Sequence, residues 1–209
     1  MPLRLLVLMT YLVSAQLPGA SLVFFGDSLT AGYGLDESAA YPALIQTALA
    51  ESGSTWRVVN AGVSGDTTTG GVRRISWVMK SKPAVVVVAL GANDGLRGIP
   101  IAQIEENLHK IIAAIRAGGA QPLLAGMVVP PNYGEAYRTQ FAAIWPKLAT
   151  ATQTPLLPFL LAGVAAEPNL NQSDRIHPNA AGQRIIAEQM LTFLAPLLPL
   201  PSVPAISTP

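Results

Sequence analysis

Short apolar runs alternate along the chain with longer segments in which apolar residues recur at helical spacing. The clearest run, residues 84–90, is an unbroken series dominated by Val. Such a run is typical of a strand that is buried on both faces of a parallel sheet. Further strands are predicted at 22–25, 56–60, 123–129 and 155–159, the last at a sheet edge because of its prolines. Helices are predicted at 38–50, 69–79, 100–117, 136–151 and 179–194. This alternation indicates one doubly wound α/β domain.

Polar and glycine-rich turns follow the first three predicted strands. They are Gly26-Asp27-Ser28, Ser64-Gly65-Asp66 and Asn93-Asp94-Gly95. The carboxyl ends of parallel strands meet at one edge of the sheet, where ligands of open α/β folds bind. Each turn by itself is also compatible with a simple cap or loop. Together they predict a functional site at this edge.

Composition narrows the possible functions. The chain has 209 residues, enough for one domain with a full core; half are hydrophobic, 12% are charged and the formal net charge is +1. Without a basic surface field, nucleic-acid binding is not expected. The chain has no cysteine. This excludes disulfides, a thiolate metal site and a cysteine nucleophile.

The two ends of the chain are predicted to lie outside the folded domain, which spans residues 21–196. Residues 1–20 contain one arginine, the apolar run 5–13 and small residues near Ala15 or Ala20. This pattern favours a secretory signal peptide and a periplasmic or secreted protein, although a first strand or a cloned extension has similar composition. The run is too short for a membrane span, so no stable membrane anchor is expected. Residues 197–209 are rich in proline and are predicted to form a disordered tail.

The hydroxyl of Ser28, at the carboxyl end of the first predicted strand, is a candidate nucleophile. A serine nucleophile needs a general base, and the chain offers only two histidines. His109 belongs to a predicted helix, and its neighbours Glu105, Glu106, Asn107 and Lys110 are expected to form a solvated face. His177 stands in a loop, three residues after Asp174 and just before Pro178. One turn of chain can bring the Asp174 carboxylate to the imidazole, as in a Ser-His-Asp triad. The alternative is a capping Asp followed by an ordinary helix-entry His.

An acyl-transfer site also needs hydrogen-bond donors for the developing oxyanion. Gly65 has no side chain, so its N–H can approach a reacting carbonyl closely. The side-chain amide of Asn93 donates without adding charge, and Ser28 can contribute its own N–H. A turn glycine and an Asx-turn are the structural alternatives for Gly65 and Asn93.

Four blocks occur in a characteristic order: Gly26-Asp27-Ser28-Leu29, Gly65, Gly91-Ala92-Asn93-Asp94 and Asp174-x-x-His177-Pro178. They resemble the blocks of the SGNH (GDSL-type) hydrolases, most closely the bacterial arylesterase, acyl-CoA thioesterase and lysophospholipase group. Ala92 departs from this pattern, because many close relatives have glycine there. The α/β-hydrolases carry their serine in a Gly-x-Ser-x-Gly turn, the nucleophile elbow. Thr30 stands where the second glycine of that motif would be, which disfavours membership of that class.

The resemblance implies a flavodoxin-like three-layer α/β/α sandwich with a five-stranded parallel sheet. It implies that Ser28 is the nucleophile, His177 the base and Asp174 the orienting acid. Ser28, Gly65 and Asn93 would form the oxyanion hole. The expected enzyme is a monomeric serine esterase for small acyl esters, with thioesters or lysophospholipids as further substrates, and it needs no cofactor or metal.

The apolar residues Leu29, Leu96 and Ile176 are expected to line the acyl pocket, with residues 94–99 as its mobile lip. Three alternatives remain open. One is a carbohydrate O-acetyl esterase that uses the same residues, and another is a nucleotide-binding module, although the chain lacks its glycine motifs. The third is a metal-dependent phosphoesterase, with ligands drawn from Asp27, Asp66, Asn93, Asp94 and His177.

Overall fold

The computed structural model describes residues 19–200 and residue 206. Its centre is a sheet of five parallel strands in the order β2-β1-β3-β4-β5. The strands are β1 (Ser21–Gly26), β2 (Arg57–Asn60), β3 (Val85–Ala89), β4 (Gln121–Ala125) and β5 (Leu156–Leu157). The predicted α/β class and five-stranded parallel sheet are confirmed. The proline-flanked strand lies at an edge, as expected.

Within the described residues, seven α-helices accompany the sheet: α1 (Ser28–Ala31), α2 (Tyr41–Glu51), α3 (Thr68–Met79), α4 (Ala92–Leu96), α5 (Ile101–Ala117), α6 (Glu135–Thr152) and α7 (Ala180–Leu194). Short 3-10 turns occupy Glu37–Ala39, Pro131–Tyr133 and Pro168–Leu170. α3 packs on α5 and α5 on α6, whereas α2 packs on α7. β1 and β3 are buried along their whole length between these helices. Helices on both faces explain why β3 reads as a continuous apolar run.

Two of the differences from the predicted element boundaries have a clear physical reason. The helix expected from Ser38 begins at Tyr41, because Pro42 has no N–H and fits only the first turn of a helix. The strand expected at 123–129 is β4, which ends at Ala125. Beyond it, Met127 and Val129 are buried in the core without strand pairing. The apolar residues at 127 and 129 are explained by the burial of their side chains, and burial alone does not specify a strand.

The helix α6 continues through Pro146, where a disturbance was expected. Pro146 is exposed. Proline has no N–H, so the carbonyl four residues earlier lacks its helical donor. On the solvent side of the helix, water can donate to that carbonyl instead. The hydroxyl of Thr150 also donates to the Pro146 carbonyl at 2.9 Å.

Residues 1–18, which hold most of the predicted signal peptide, lie outside the described residues. Within the described part of the chain, no helix is long and apolar enough to cross a membrane. At the other end, Leu198 is only 7% exposed, and Leu197, Leu200 and Ile206 pack against the core. At these positions the chain packs against the core, whereas a disordered tail was predicted from residue 197. Their apolar side chains give the segment surface to bury.

Candidate active site

Ser28 stands at the junction of β1 and α1, in a tight strand-to-helix turn. Asp27 caps the helix, since its Oδ1 accepts the Leu29 N–H at 3.0 Å. A Cβ at Gly26 would overlap the Thr30 hydroxyl, so the turn can close this tightly only with glycine. Ser28 is itself 8% exposed. Its hydroxyl is thus held at the carboxyl edge of the sheet by the backbone and by the Asp27 cap.

The structure brings Asp174, His177 and Ser28 into one hydrogen-bonded series. The Nε2 atom of His177 lies 2.9 Å from Ser28 Oγ, and its Nδ1 atom lies 2.7 Å from Asp174 Oδ2. The other Asp174 oxygen accepts the N–H groups of Ile176 and His177, at 2.9 and 3.0 Å. His177 and Ser28 are 149 residues apart in the chain. The predicted base and orienting acid therefore reach the predicted nucleophile.

The charge state of Asp174 determines how these hydrogen bonds run. The His177 N–H and imidazole, and then the Ile176 N–H, hold the pKa of Asp174 at about 2. At neutral pH it is a carboxylate, which can only accept, so His177 Nδ1 carries the proton and donates. In the neutral imidazole, Nε2 is then the acceptor for the Ser28 hydroxyl. This is the tautomer that a general base requires.

The loop that carries His177 is fixed against the Ser28 turn by residues that the sequence analysis did not single out. The Gln172 amide donates to the Tyr33 carbonyl at 2.7 Å and to the Pro178 carbonyl at 3.0 Å. The Tyr33 ring packs against the His177 ring, with centroids 4.7 Å apart and a 41° interplanar angle. Tyr33 also donates its N–H to the Ser28 carbonyl. No motif pointed to Gln172 or Tyr33, because their partners are distant in sequence.

Asn93 lies in α4, a short helix where a loop was expected, and its amide faces both neighbouring turns. Its Nδ2 donates to the Asp66 carbonyl at 2.9 Å and lies 3.4 Å from Asp27 Oδ2. The second contact is long, so this N–H is the one more easily redirected. Asn93 is thus placed between the Ser28 turn and the Gly65 turn.

Gly65 lies in an exposed turn with φ +77°, a left-handed conformation that favours glycine. Its carbonyl accepts from Arg97 at 3.0 Å. The same turn is hydrogen-bonded to the turn at Gly26-Asp27-Ser28 (the nucleophile turn), since Val63 donates its N–H to the Gly26 carbonyl at 3.0 Å. Among the described residues, neither the Gly65 N–H nor the Ser28 N–H donates to another protein group. Both donors are available to a ligand.

Asp27 is a buried carboxyl, 1% exposed, next to this set of donors. Burial raises the pKa of Asp27 to about 7, against the opposing effects of the Leu29 N–H and the charge of His177. Its contacts are those of a residue that stabilises the turn.

A second buried carboxylate holds α4 in place. Asp94, 1% exposed, accepts from the Thr68 N–H at 2.8 Å and from the Thr68 hydroxyl at 2.6 Å. Asn107 donates to Thr68 Oγ1 at 3.1 Å. Asn107 was expected on a solvated face and is in fact buried, because it completes this network from α5. Its neighbour His109 is exposed, as predicted.

The three predicted acyl-pocket residues have different environments. Leu29 is 4% exposed and belongs to the core, Leu96 is half-buried and Ile176 is 49% exposed. The segment predicted as a mobile lip is tethered at two carbonyls. Tyr133 donates to the Leu96 carbonyl and Tyr137 to the Ile99 carbonyl, each at 2.9 Å.

The metal-site alternative finds little support in these contacts. Asp27, Asp66 and Asp94 are committed to Leu29, Arg74 and Thr68 respectively. Within the described part of the chain, no three His, Asp or Glu residues cluster so that they could hold a metal ion.

Comparison with known proteins agrees with this architecture. A sequence model of the GDSL-like Lipase/Acylhydrolase family matches residues 24–185. The chain belongs to this family. It is 43% identical to Esterase TesA of Pseudomonas aeruginosa over 194 residues, which is 92% of this chain and 94% of that protein. It is 42% identical to Thioesterase 1/protease 1/lysophospholipase L1 of Escherichia coli K12, covering 95% of this chain and 93% of that one.

A solved structure reported as the crystal structure of TesA superimposes on this GDSL-family chain with a TM-score of 0.82. It shares 44% sequence identity, and the match covers 85% of this chain and 99% of that one. The expected resemblance to the SGNH hydrolases, the fold and the class of acyl hydrolase are thereby confirmed.

Proposed function

We propose that this GDSL-family hydrolase is a serine esterase that cleaves carboxylic esters through an acyl-enzyme. The observation that carries the proposal is the hydrogen-bonded series from Asp174 through His177 Nε2 to Ser28 Oγ, 2.7 and 2.9 Å long. A serine hydroxyl is a weak nucleophile by itself, and a neighbouring base with the correct tautomer activates it.

The first half-reaction forms the acyl-enzyme. Ser28 Oγ bonds to the ester carbonyl carbon while its proton passes to His177 Nε2. Asp174 stabilises the imidazolium through the charge-assisted bond at Nδ1. The tetrahedral intermediate then collapses, and the leaving alcohol or thiol takes the proton from Nε2. Water repeats the sequence on the acyl-enzyme, which releases the acid and restores Ser28.

The oxyanion of each tetrahedral intermediate would be held by three donors: the Ser28 N–H, the Gly65 N–H and the Asn93 amide. The two backbone donors have no protein acceptor among the described residues. Asn93 would release its long contact with Asp27 and keep its bond to the Asp66 carbonyl. Donors aimed at a developing charge contribute on the order of 3 kcal/mol each.

The substrate class is proposed from the relatives and from the residues around Ser28. The printed names of the relatives include esterase, thioesterase and lysophospholipase. Of the three predicted pocket residues, Leu96 and Ile176 have accessible surface that would contact an apolar acyl group, whereas Leu29 packs in the core. We propose small acyl esters as substrates, thioesters and lysophospholipids as further ones, and a monomeric enzyme. A carbohydrate O-acetyl esterase would instead lose activity steeply as the acyl chain lengthens.

The domain limits and the location stay proposals. We propose that residues 1–20 are a signal peptide, that residues 21–196 form the hydrolase domain and that the mature protein is periplasmic or secreted. N-terminal sequencing of the mature protein from its native source tests this, and an intact Met1 would contradict it.

The Ser28→Ala variant tests the proposed function. It removes the nucleophile and little volume, so the fold should persist while hydrolysis of p-nitrophenyl butyrate and of a longer acyl ester falls at least about 10³-fold. Circular dichroism checks the fold. Hydrolysis at the wild-type rate would contradict the mechanism.

A further inference from the structure

One arginine contacts both of the turns that carry the proposed backbone donors of the oxyanion hole. The Arg74 side chain, 20% exposed, extends from α3 beneath the edge of the sheet. Its Nε donates to Asp66 Oδ2 at 2.6 Å, and its two terminal nitrogens donate to the carbonyls of Ala61 and Gly26 at 2.7 and 2.8 Å. The guanidinium carbon also lies 3.9 Å from the centre of the Phe25 ring. Arg74 therefore contacts β1, the nucleophile turn and the Gly65 turn at once.

Two partners of Arg74, Gly26 and Asp66, lie within two residues of groups that would contact the substrate. Gly26 is two residues before Ser28, so its carbonyl sets the direction in which the nucleophile turn leaves β1. Asp66 follows Gly65, and the Asp66 carbonyl accepts the Asn93 amide. One planar cation thus holds the backbone around all three proposed donors. Lysine presents a single ammonium and cannot reproduce the planar guanidinium fork.

We infer that Arg74 is a positioning residue for the oxyanion hole of this enzyme. It does not touch the substrate; it fixes the spacing between the Ser28 turn and the Gly65–Asn93 pair. The inference rests on the proposed function, because it presupposes an oxyanion at this place. Oxyanion donors act on the transition state, so misplacing them lowers kcat more than it changes KM. Loss of a single donor costs about 10²-fold or more in kcat, and a displacement costs less.

The test is the Arg74→Ala variant with and without added guanidinium. We expect kcat for p-nitrophenyl butyrate to fall about 10- to 100-fold, with KM within about threefold of wild type. Guanidinium chloride at tens of millimolar should restore at least about a tenth of the lost rate, because it can occupy the space between the Phe25 ring and the three acceptors. Sodium chloride and urea at the same concentration should not. The pH profile should keep its shape, since Asp174 and His177 are untouched.

Arg73→Ala is the matched control, because Arg73 is the neighbouring arginine on the same helix and is exposed. Its kcat should equal that of wild type. If Arg74→Ala folds poorly, Arg74→Lys and Asp66→Asn provide the same comparison at lower structural cost, and both should lower kcat with little change in KM. A kcat within twofold of wild type in folded Arg74 variants would overturn the inference, as would a lost rate that guanidinium does not restore. If Ser28→Ala retains full activity, the proposed function fails and not merely the role of Arg74.

Discussion

The role of Asp174 leads to a prediction about two variants that differ in a few atoms. Asp174→Asn keeps an oxygen that can accept the backbone N–H groups of Ile176 and His177, as Oδ1 does now at 2.9 and 3.0 Å. It also places an amide N–H₂ against His177 Nδ1. His177 Nδ1 must then accept a hydrogen bond from this amide, so the imidazole proton moves to Nε2. The imidazole would donate toward Ser28 and could no longer act as its base.

Asp174→Ala removes the carboxylate but leaves the tautomer free. The bond from His177 Nδ1 to Asp174 Oδ2 is short, at 2.7 Å, and charge-assisted once the imidazolium forms. Its loss should cost about 3 kcal/mol in the transition state, or about 10²-fold in rate. The Asp174 side chain is 38% exposed, so water can enter and accept the Nδ1 proton. Forcing the wrong tautomer should raise the cost in Asp174→Asn to about 4 kcal/mol, or about 10³-fold.

The assay is kcat and kcat/KM for p-nitrophenyl butyrate, with thermal unfolding to show that both variants fold. Asp36→Asn is the control for the chemical change, because Asp36 is exposed and makes no side-chain cap bond. It should leave both parameters unchanged. The reasoning is refuted if folded Asp174→Asn hydrolyses the ester faster than Asp174→Ala, since the less disruptive change must be the more damaging one.

Two further predictions concern the neighbouring residues. Asn93→Ala should lower kcat about 10²-fold with KM little changed on the same ester, and an unchanged kcat would remove Asn93 from the oxyanion hole. Asp27 has its pKa raised from 3.8 to about 7, so the folded state binds more protons than the unfolded state between these values. The Asp27 contribution to stability therefore falls as pH rises through this window. Between pH 5 and pH 8 the free energy of unfolding of wild type should fall by about 3 kcal/mol relative to that of Asp27→Asn, as measured by urea unfolding. An equal difference between the two proteins at both pH values would contradict the assigned ionisation.

Local sequence patterns were sufficient to predict the α/β class and the five strands along the chain, whereas the order of these strands in the sheet came from the structure. The unbroken, Val-rich run at 84–90 indicated a strand that is buried on both faces of a parallel sheet. The turns after the first three strands had to lie at one edge once the sheet was parallel. For the same reason Ser28, Gly65 and Asn93 could be proposed together, and elimination between two histidines led to His177.

Only the tertiary structure showed which distant side chains hold these residues in place by hydrogen bonds. Gln172 reaches Tyr33 across 139 positions, Arg74 reaches Gly26 across 48, and Asp94 reaches Thr68 across 26. Such contacts leave no periodic trace, because a polar residue with a distant partner looks like any surface residue in the sequence. The same limit explains why buried Asn107 was assigned to solvent. It also applies to the Gly26-Asp27-Ser28 turn: the sequence predicts Ser28 as the nucleophile, while the packing of distant segments orients its hydroxyl.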